Sequence, residues 1–269
     1  MKRLIVTGDD FGLSLPVNEA IEKAHRRGIL TAASLMVGAE ATADAVERAK
    51  RLSSLRVGLH LVLVDGTPVL AREAVPDLLT KKGKFSSHLV QAGINFFARS
   101  TVRQQLEKEI RAQFQAFRDT GLLLDHVNCH HHMHLHPTVL GLILRVGKEY
   151  KMKAMRLPYE PSLPSWRASR KGLLRKTMVW LCLYPWITLL KARLREADLR
   201  FNDFVFGMND SGHMHLDLML RFLKFLPLGV AEIYFHPGDN ANELEALIDP
   251  AVREALLDSQ IERIGFCDL

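Results

Sequence analysis

Cysteine is scarce in this chain. Cys129, Cys182 and Cys267 are odd in number, far apart and in no CxxC spacing, which excludes a disulfide framework and a cysteine zinc cluster. Cys129 reads as a small buried hydrophobe, the usual fate of a free cysteine. Tryptophan is equally sparse, and all three lie between positions 166 and 186. Long apolar runs are missing: the uncharged stretch 177–190 has fourteen residues, against the roughly 20 a helix needs to cross a hydrocarbon core. Pro185 within it is expected to break or kink a helix. The start, Met1-Lys2-Arg3-Leu4-Ile5-Val6, has no signal-peptide core or cleavage site, so the expected location is cytoplasmic, with peripheral contact at the inner face of the cell membrane. No repeat or low-complexity tract stands out. With 269 residues, 48% hydrophobic and 25% charged, the composition is that of a soluble globular protein.

What is present is uneven. Net charge is +6, and the stretch 166–200 alone holds nine basic residues against two acidic ones. This basic frame surrounds the uncharged run with Trp180 and Trp186. Such a segment suits the headgroup region of an anionic membrane, where each basic residue contributes about 1 kcal/mol; a buried helical hairpin with solvated basic ends is the competing reading. Nucleic acid is not an expected partner, because the aromatics are embedded in aliphatics and do not alternate with basic residues. The sequence says nothing of oligomeric state.

Strand-like runs at 3–8, 32–37, 56–61, 122–128, 153–157, 230–235 and 261–266 alternate with helical patterns at 17–27, 41–52, 102–118, 137–150, 216–225 and 250–257. Alternation of this kind predicts α/β architecture, a parallel sheet open or closed into a barrel, over one domain spanning 1–269. Segments 62–100 and 158–201 fit the alternation poorly and are expected to be loop insertions at the C-terminal face.

Six of the twelve histidines crowd into Asp125-His126-Val127-Asn128-Cys129-His130-His131-His132-Met133-His134-Leu135-His136. Together with Asp9-Asp10, which ends the first strand, they predict a metal site of about three His and carboxylate ligands with an open position. Asp9-Asp10, His60, the histidine run and His236 all fall at predicted C-terminal strand ends, where parallel α/β folds place active sites. Period-two parity turns His60 inward, because Leu55, Val57, Leu59 and Leu61 take the other face. The same parity puts Asn128, His130 and His132 inward if the strand continues, with His130 the leading ligand of the run. A helix cap is the alternative role for the Asp pair, but Phe11 to Leu15 intervene before the helix. Arg156, at a strand end, is a candidate either for steadying Asp9 or for binding substrate. His25 and His88 read as surface residues.

The motifs Asp9-Asp10-Phe11-Gly12, Gly58-Leu59-His60-Leu61, the histidine run ending in Pro137, Arg156-Leu157-Pro158 and Phe235-His236-Pro237-Gly238 occur together. In this the chain resembles the YdjC-like carbohydrate deacetylases. The resemblance implies a distorted (β/α) barrel that hydrolyses N-acetyl groups on sugars with one divalent metal, zinc or magnesium, with manganese, cobalt and nickel as alternatives. It also implies Asp10, His60 and His130 as metal ligands, Asp9 as general base and His236 as general acid. His132, His134 and His213 are further candidates for substrate contact. Asn128-Cys129 stands where chitooligosaccharide-acting members usually carry Asp-Ser. The histidine run and Ser211-Gly212-His213-Met214-His215 are more similar to the hopanoid-biosynthesis-associated branch. The expected substrate is therefore an N-acetylated amino sugar on a hopanoid lipid, and soluble N-acetyl oligosaccharides are the alternative. A two-metal phosphoesterase and a non-catalytic, membrane-docked metal-binding protein are the readings from other classes.

Overall fold

A computed structural model describes residues 1–238 and 240–269. Its sheet is wholly parallel. Strands β1 (Lys2–Phe11), β2 (Ala32–Leu35), β3 (Arg56–Leu61), β4 (Val127–Cys129), β5 (Phe204–Phe206), β6 (Gly229–Phe235) and β7 (Ile261–Arg263) pair in the order β4-β3-β2-β1-β6-β5, with β7 on the first residues of β1. The segment 153–159 carries the curl from β4 towards β5. Val127 N–H donates to the Ala154 carbonyl, Arg156 N–H to that of Val127, and Val205 N–H to that of Tyr159. The result is the expected α/β distorted barrel.

Helices α1 (Leu15–Arg27), α2 (Thr42–Arg51), α4 (Ser100–Asp119), α5 (Pro137–Glu149), α8 (Leu216–Phe225), α9 (Ala241–Ile248) and α10 (Pro250–Asp258) accompany the strands. Ser14 caps α1 through Val17 N–H and Asp249 caps α10 through Ala251 N–H, each ahead of a proline in the first turn. Helix α4 shows why these segments coil: Val102, Leu106, Ile110, Phe114 and Phe117 recur at three- and four-residue spacing and are all buried.

The inside of the barrel is layered. At the bottom Ile5, Ala32, Ala154 and Val230 pack on Phe266 and Ile264. Two residues further along the same strands, Thr7, Ser34, Arg156 and Glu232 form a buried polar layer. His126 lies there too, hydrogen-bonded to Ser34 and Asp125. Gly58 faces it, and a Cβ at that position would fall 2.4 Å from the imidazole, so glycine is required by the close approach.

Several elements differ from expectation. The strand predicted at 122–128 shrinks to β4, because the residues before it belong to the loop after α4. The strand predicted at 153–157 contributes only single bridges. Strand β5 and helix α9 fall where neither was predicted. The segment 62–100 carries α3 (Leu89–Ala98), and 158–201 carries α6 (Ser162–Ser169) and α7 (Leu173–Glu196). Pro185 does not break α7: it lies on the exposed side of one continuous 24-residue helix. The hairpin alternative for 177–190 is thereby excluded. Among the described residues no helix is long and apolar enough to cross a membrane.

Candidate metal centre

The site begins with a bulge. Register between β1 and β2 shifts between Gly8 and Phe11, and Asp10 takes a left-handed backbone with φ 63°, a conformation aspartate tolerates better than most residues. A bulge defeats strict alternation. Asp9 and Asp10 therefore both serve the open end of the barrel, although they are neighbours in sequence. Asn18 secures the turn that follows, accepting from Gly12 N–H at 2.8 Å and donating to Ala41 and Asp44.

Asp10 Oδ1 lies 3.2 Å from His60 Nε2 and 3.2 Å from His130 Nδ1, and the two nitrogens are 3.4 Å apart. Three donors on a tetrahedron around an ion at about 2.0–2.1 Å would be roughly 3.3 Å from one another. Asp10 Oδ1 is buried with no well-formed hydrogen bond, and one carboxylate oxygen with two imidazole nitrogens is a donor set suited to zinc and similar ions. The residues therefore fit a divalent cation. Burial would raise the Asp10 pKa, but the His130 and His60 contacts outweigh it and hold the carboxyl well below its usual range. Burial likewise opposes a charged His60, and the Asp10 and Asp9 carboxylates overcome it and raise the imidazole.

Asn128 orients His60. With its amide oxygen toward the ring, it accepts from His60 Nδ1–H at 2.6 Å, and its nitrogen reaches Ser34 and Asp9. Turned over, its oxygen accepts from both Arg156 Nη groups at 3.0 Å and its nitrogen donates to His60. A His60 that ligates through Nε2 must carry its proton on Nδ1, so the first orientation belongs to the ligating state.

Asp9 is locked from below. Arg156 donates from Nη1 to Oδ2 at 2.6 Å and from Nη2 to Oδ1 at 2.9 Å. The same guanidinium donates to Glu232 at 2.7 and 2.9 Å, and Thr7 donates to Glu232 at 2.7 Å. Burial pushes Asp9 up, but the Arg156 charge, with help from His60 and His236, holds its carboxyl far below the ordinary range.

His236 closes the far side, Nε2 standing 3.9 Å from Asp10 Oδ2 with Nδ1 3.5 Å from Ser211 Oγ. It is set by Glu243, which accepts from His236 N–H at 2.6 Å, and by the following Pro-Gly. A Cβ on Gly238 would sit 2.3 Å from the Val17 backbone.

The structure thus brings Asp9, Asp10, His60, His130 and His236 together. It places the remaining candidates differently. Arg156 has no exposed surface, so it steadies Asp9 and does not touch substrate. His134 is wholly buried, and desolvation with the nearby Arg156 charge pushes it down to about 3, so it is a neutral packing residue and no substrate contact. Strand geometry does not persist to His132: β4 ends at Cys129, and 130–135 is a short 3-10 segment in which His131 and His132 have φ of 52° and 53°. His132 is half-buried with Nε2 3.2 Å from the Tyr234 hydroxyl. His213 is exposed on the loop that carries Ser211, and Trp180 and Trp186 lie on α7. His25 is half-buried between the Leu30 carbonyl and Ser54, not a free surface residue.

Glu232 and Tyr234 were missed as parts of the site, and Asn128, expected to face inward, was given no role. The signal was a carboxylate in the apolar strand 230–235, at the same parity as His236. A cavity of about 480 Å³ opens beside the triad, lined by Asp10, Glu40, Asp65, Lys84, His130 and His131 among others.

Proteins named carbohydrate deacetylase are similar over about half the chain. One from Brevibacillus brevis is 42% identical over 153 residues, covering 56% of this chain and 57% of that protein. One from Oceanobacillus iheyensis is 36% identical over 150 residues, 56% and 63% of the two chains. The matched part thus spans less than two thirds of these relatives. In fold, a crystal structure of a proposed cellobiose-phosphate cleavage protein from Enterococcus faecalis superposes with a TM-score of 0.76 at 24% identity, covering 98% of this chain and 97% of that one. A lactam utilization protein from Thermus thermophilus gives 0.54 at 18% identity, covering 99% and 100%. The YdjC-like protein family model matches residues 3–258, and the chain belongs to that family.

Proposed function

We propose that this protein is a metal-dependent hydrolase that removes the acetyl group from an N-acetylated amino sugar. The observation that carries the reading is the convergence of Asp10, His60 and His130 on one point between a tethered carboxylate and a half-exposed imidazole. The similarity to proteins named carbohydrate deacetylase supports the reaction class.

Asp10, His60 and His130 would hold the cation, which when bound supplies a polarised water and a Lewis-acid contact for the acetyl carbonyl. Asp9 takes the proton of the attacking water. The Arg156 fork fixes its direction and keeps it ionised. His236, on the opposite side, donates a proton to the departing amine nitrogen. Burial of the Arg156–Glu232 layer keeps water from entering beneath the carboxylates.

The substrate proposed is N-acetylglucosamine carried on a polycyclic hopanoid lipid, on the strength of the sequence resemblance and the basic, tryptophan-bearing α7. Acetate release from an N-acetylglucosaminyl lipid and from soluble chitooligosaccharide tests this. The lipid conjugate is expected to be the better substrate by kcat/KM. Preference for the soluble sugar would remove the lipid part and leave the deacetylase; acetate from neither would remove both.

A further inference from the structure

An apolar groove on the surface plays no part in the chemistry above. Helix α3 exposes Val90, Ile94 and Phe97, one stripe at helical spacing, with Phe97 69% and Val90 78% exposed. Together with Trp186 of α7 this stripe walls a groove of about 660 Å³, floored by Met133, Leu135 and Pro137. Its inner end is formed by His131 and His132. His131 also lines the cavity beside the metal triad, so the two spaces share a side chain. One has polar and apolar walls in about equal share and reaches Asp10; the other is almost wholly hydrocarbon. A ligand filling both has a polar head and an apolar body.

Helix α7 extends the apolar surface outward. Leu174, Met178, Leu181 and Leu189 lie along one side of it, each at least 41% exposed, with Tyr184 and Trp186 beside them. Monomeric soluble proteins rarely leave so continuous an apolar face uncovered. Basic residues flank it: Arg167, Arg170 and Lys171 before and Arg195 after, while Arg193 pairs with Glu196. Lys176 does not join them, because it is buried on Ser165 and Asp210. Aliphatics in the middle, aromatics beside them and cations at both ends match the chemistry of an anionic bilayer surface. A protein partner would need acidic groups at two separated ends and has nothing on this face to prefer it.

We propose that the α3–α7 groove holds the hydrocarbon part of the substrate, received from an anionic bilayer on which the exposed side of α7 lies. The proposal rests on the lipid-linked deacetylase reading and adds where the lipid goes. Two measurements separate the two. In the first, the intact protein is mixed with vesicles of phosphatidylcholine and phosphatidylglycerol brominated in their acyl chains. Tryptophan fluorescence is expected to be quenched, less so in Trp186→Phe, and the vesicle affinity to fall about tenfold or more in Met178→Glu/Leu181→Glu and at high salt. In the second, the ratio of kcat/KM on the lipid-linked sugar to that on soluble chitooligosaccharide is expected to fall about tenfold or more in Ile94→Glu/Phe97→Glu. These side chains are exposed, so an unchanged melting temperature certifies the fold. An absence of vesicle binding, or an unaltered ratio in the α3 pair, overturns the proposal. So does a dimer that dissociates in the α7 pair, which would make the face a contact between copies. If neither sugar is deacetylated the functional reading falls, while the quenching still decides whether α7 meets hydrocarbon.

Discussion

Arg156 is a fully buried cation between two fully buried carboxylates, and its pairing sets the whole centre. Removing it leaves Asp9 and Glu232 charged and unpaired. Arg156→Met is therefore expected to destabilise the fold by about 3–5 kcal/mol in urea unfolding. Asp9→Asn keeps the shape and loses the proton acceptor. Acetate release should drop to near background with metal affinity retained, whereas joint loss of both would make Asp9 a ligand. Asn128→Ala removes the group that orients His60, and metal affinity is expected to fall about 10- to 100-fold by calorimetry. The inward placement of His60 and His130 was legible from sequence because strand ends and period-two parity pick them out without any knowledge of packing, whereas Asp10 as their partner followed from the family resemblance. The supporting layer was less so. Arg156 sits at a strand end whether it meets solvent or Asp9, and only its burial decides between the two roles. Glu232 was readable in principle, as a lone carboxylate in an apolar strand.

At the scale of elements, the long strands and amphipathic helices were legible because their patterns repeat over many residues. The three-residue strands β4 and β5 are too short to show a period, and 153–157 is strand-like in composition but makes only single bridges. Parity failed past Cys129 because two left-handed residues end the strand, a backbone choice that histidine does not advertise. Helix α7 continues through Pro185 on its exposed side, where water can satisfy the carbonyl that loses its N–H partner. A sharper test of an element is Gly58→Ala in β3. The added Cβ would press on His126, itself held by Ser34 and Asp125. A loss of about 1–3 kcal/mol is expected, read as a lower melting temperature.

For the molecule as a whole, buried imidazoles shape the response to pH. Burial pushes His134 down to about 3 and His132 well below its ordinary value of 6.5. Unfolding frees both to bind protons, so the stability they allow is complete above about 6.5 and declines as pH falls toward their folded values. His60, raised by Asp10 and Asp9, works in the opposite sense, contributing fully below 6.5 and losing its contribution as pH rises through its folded value. Below 6.5 both states hold the His60 proton, so it adds no slope there, and the likewise lowered His25, His131 and His136 act in the same sense as His134 and His132. Unfolding free energy is therefore expected to decrease from pH 6.5 toward 4, and His134→Leu should flatten the slope by about 1.4 kcal/mol per pH unit. An unchanged slope would mean that His134 is solvated in the folded state.

The central claim is that three separated segments build one cation site. Titration calorimetry of the chelator-treated full chain with zinc measures it directly. The account predicts one ion per chain, with the heat abolished in Asp10→Ala and greatly reduced in His60→Ala. Two ions per chain, or binding that survives Asp10→Ala unchanged, would contradict it.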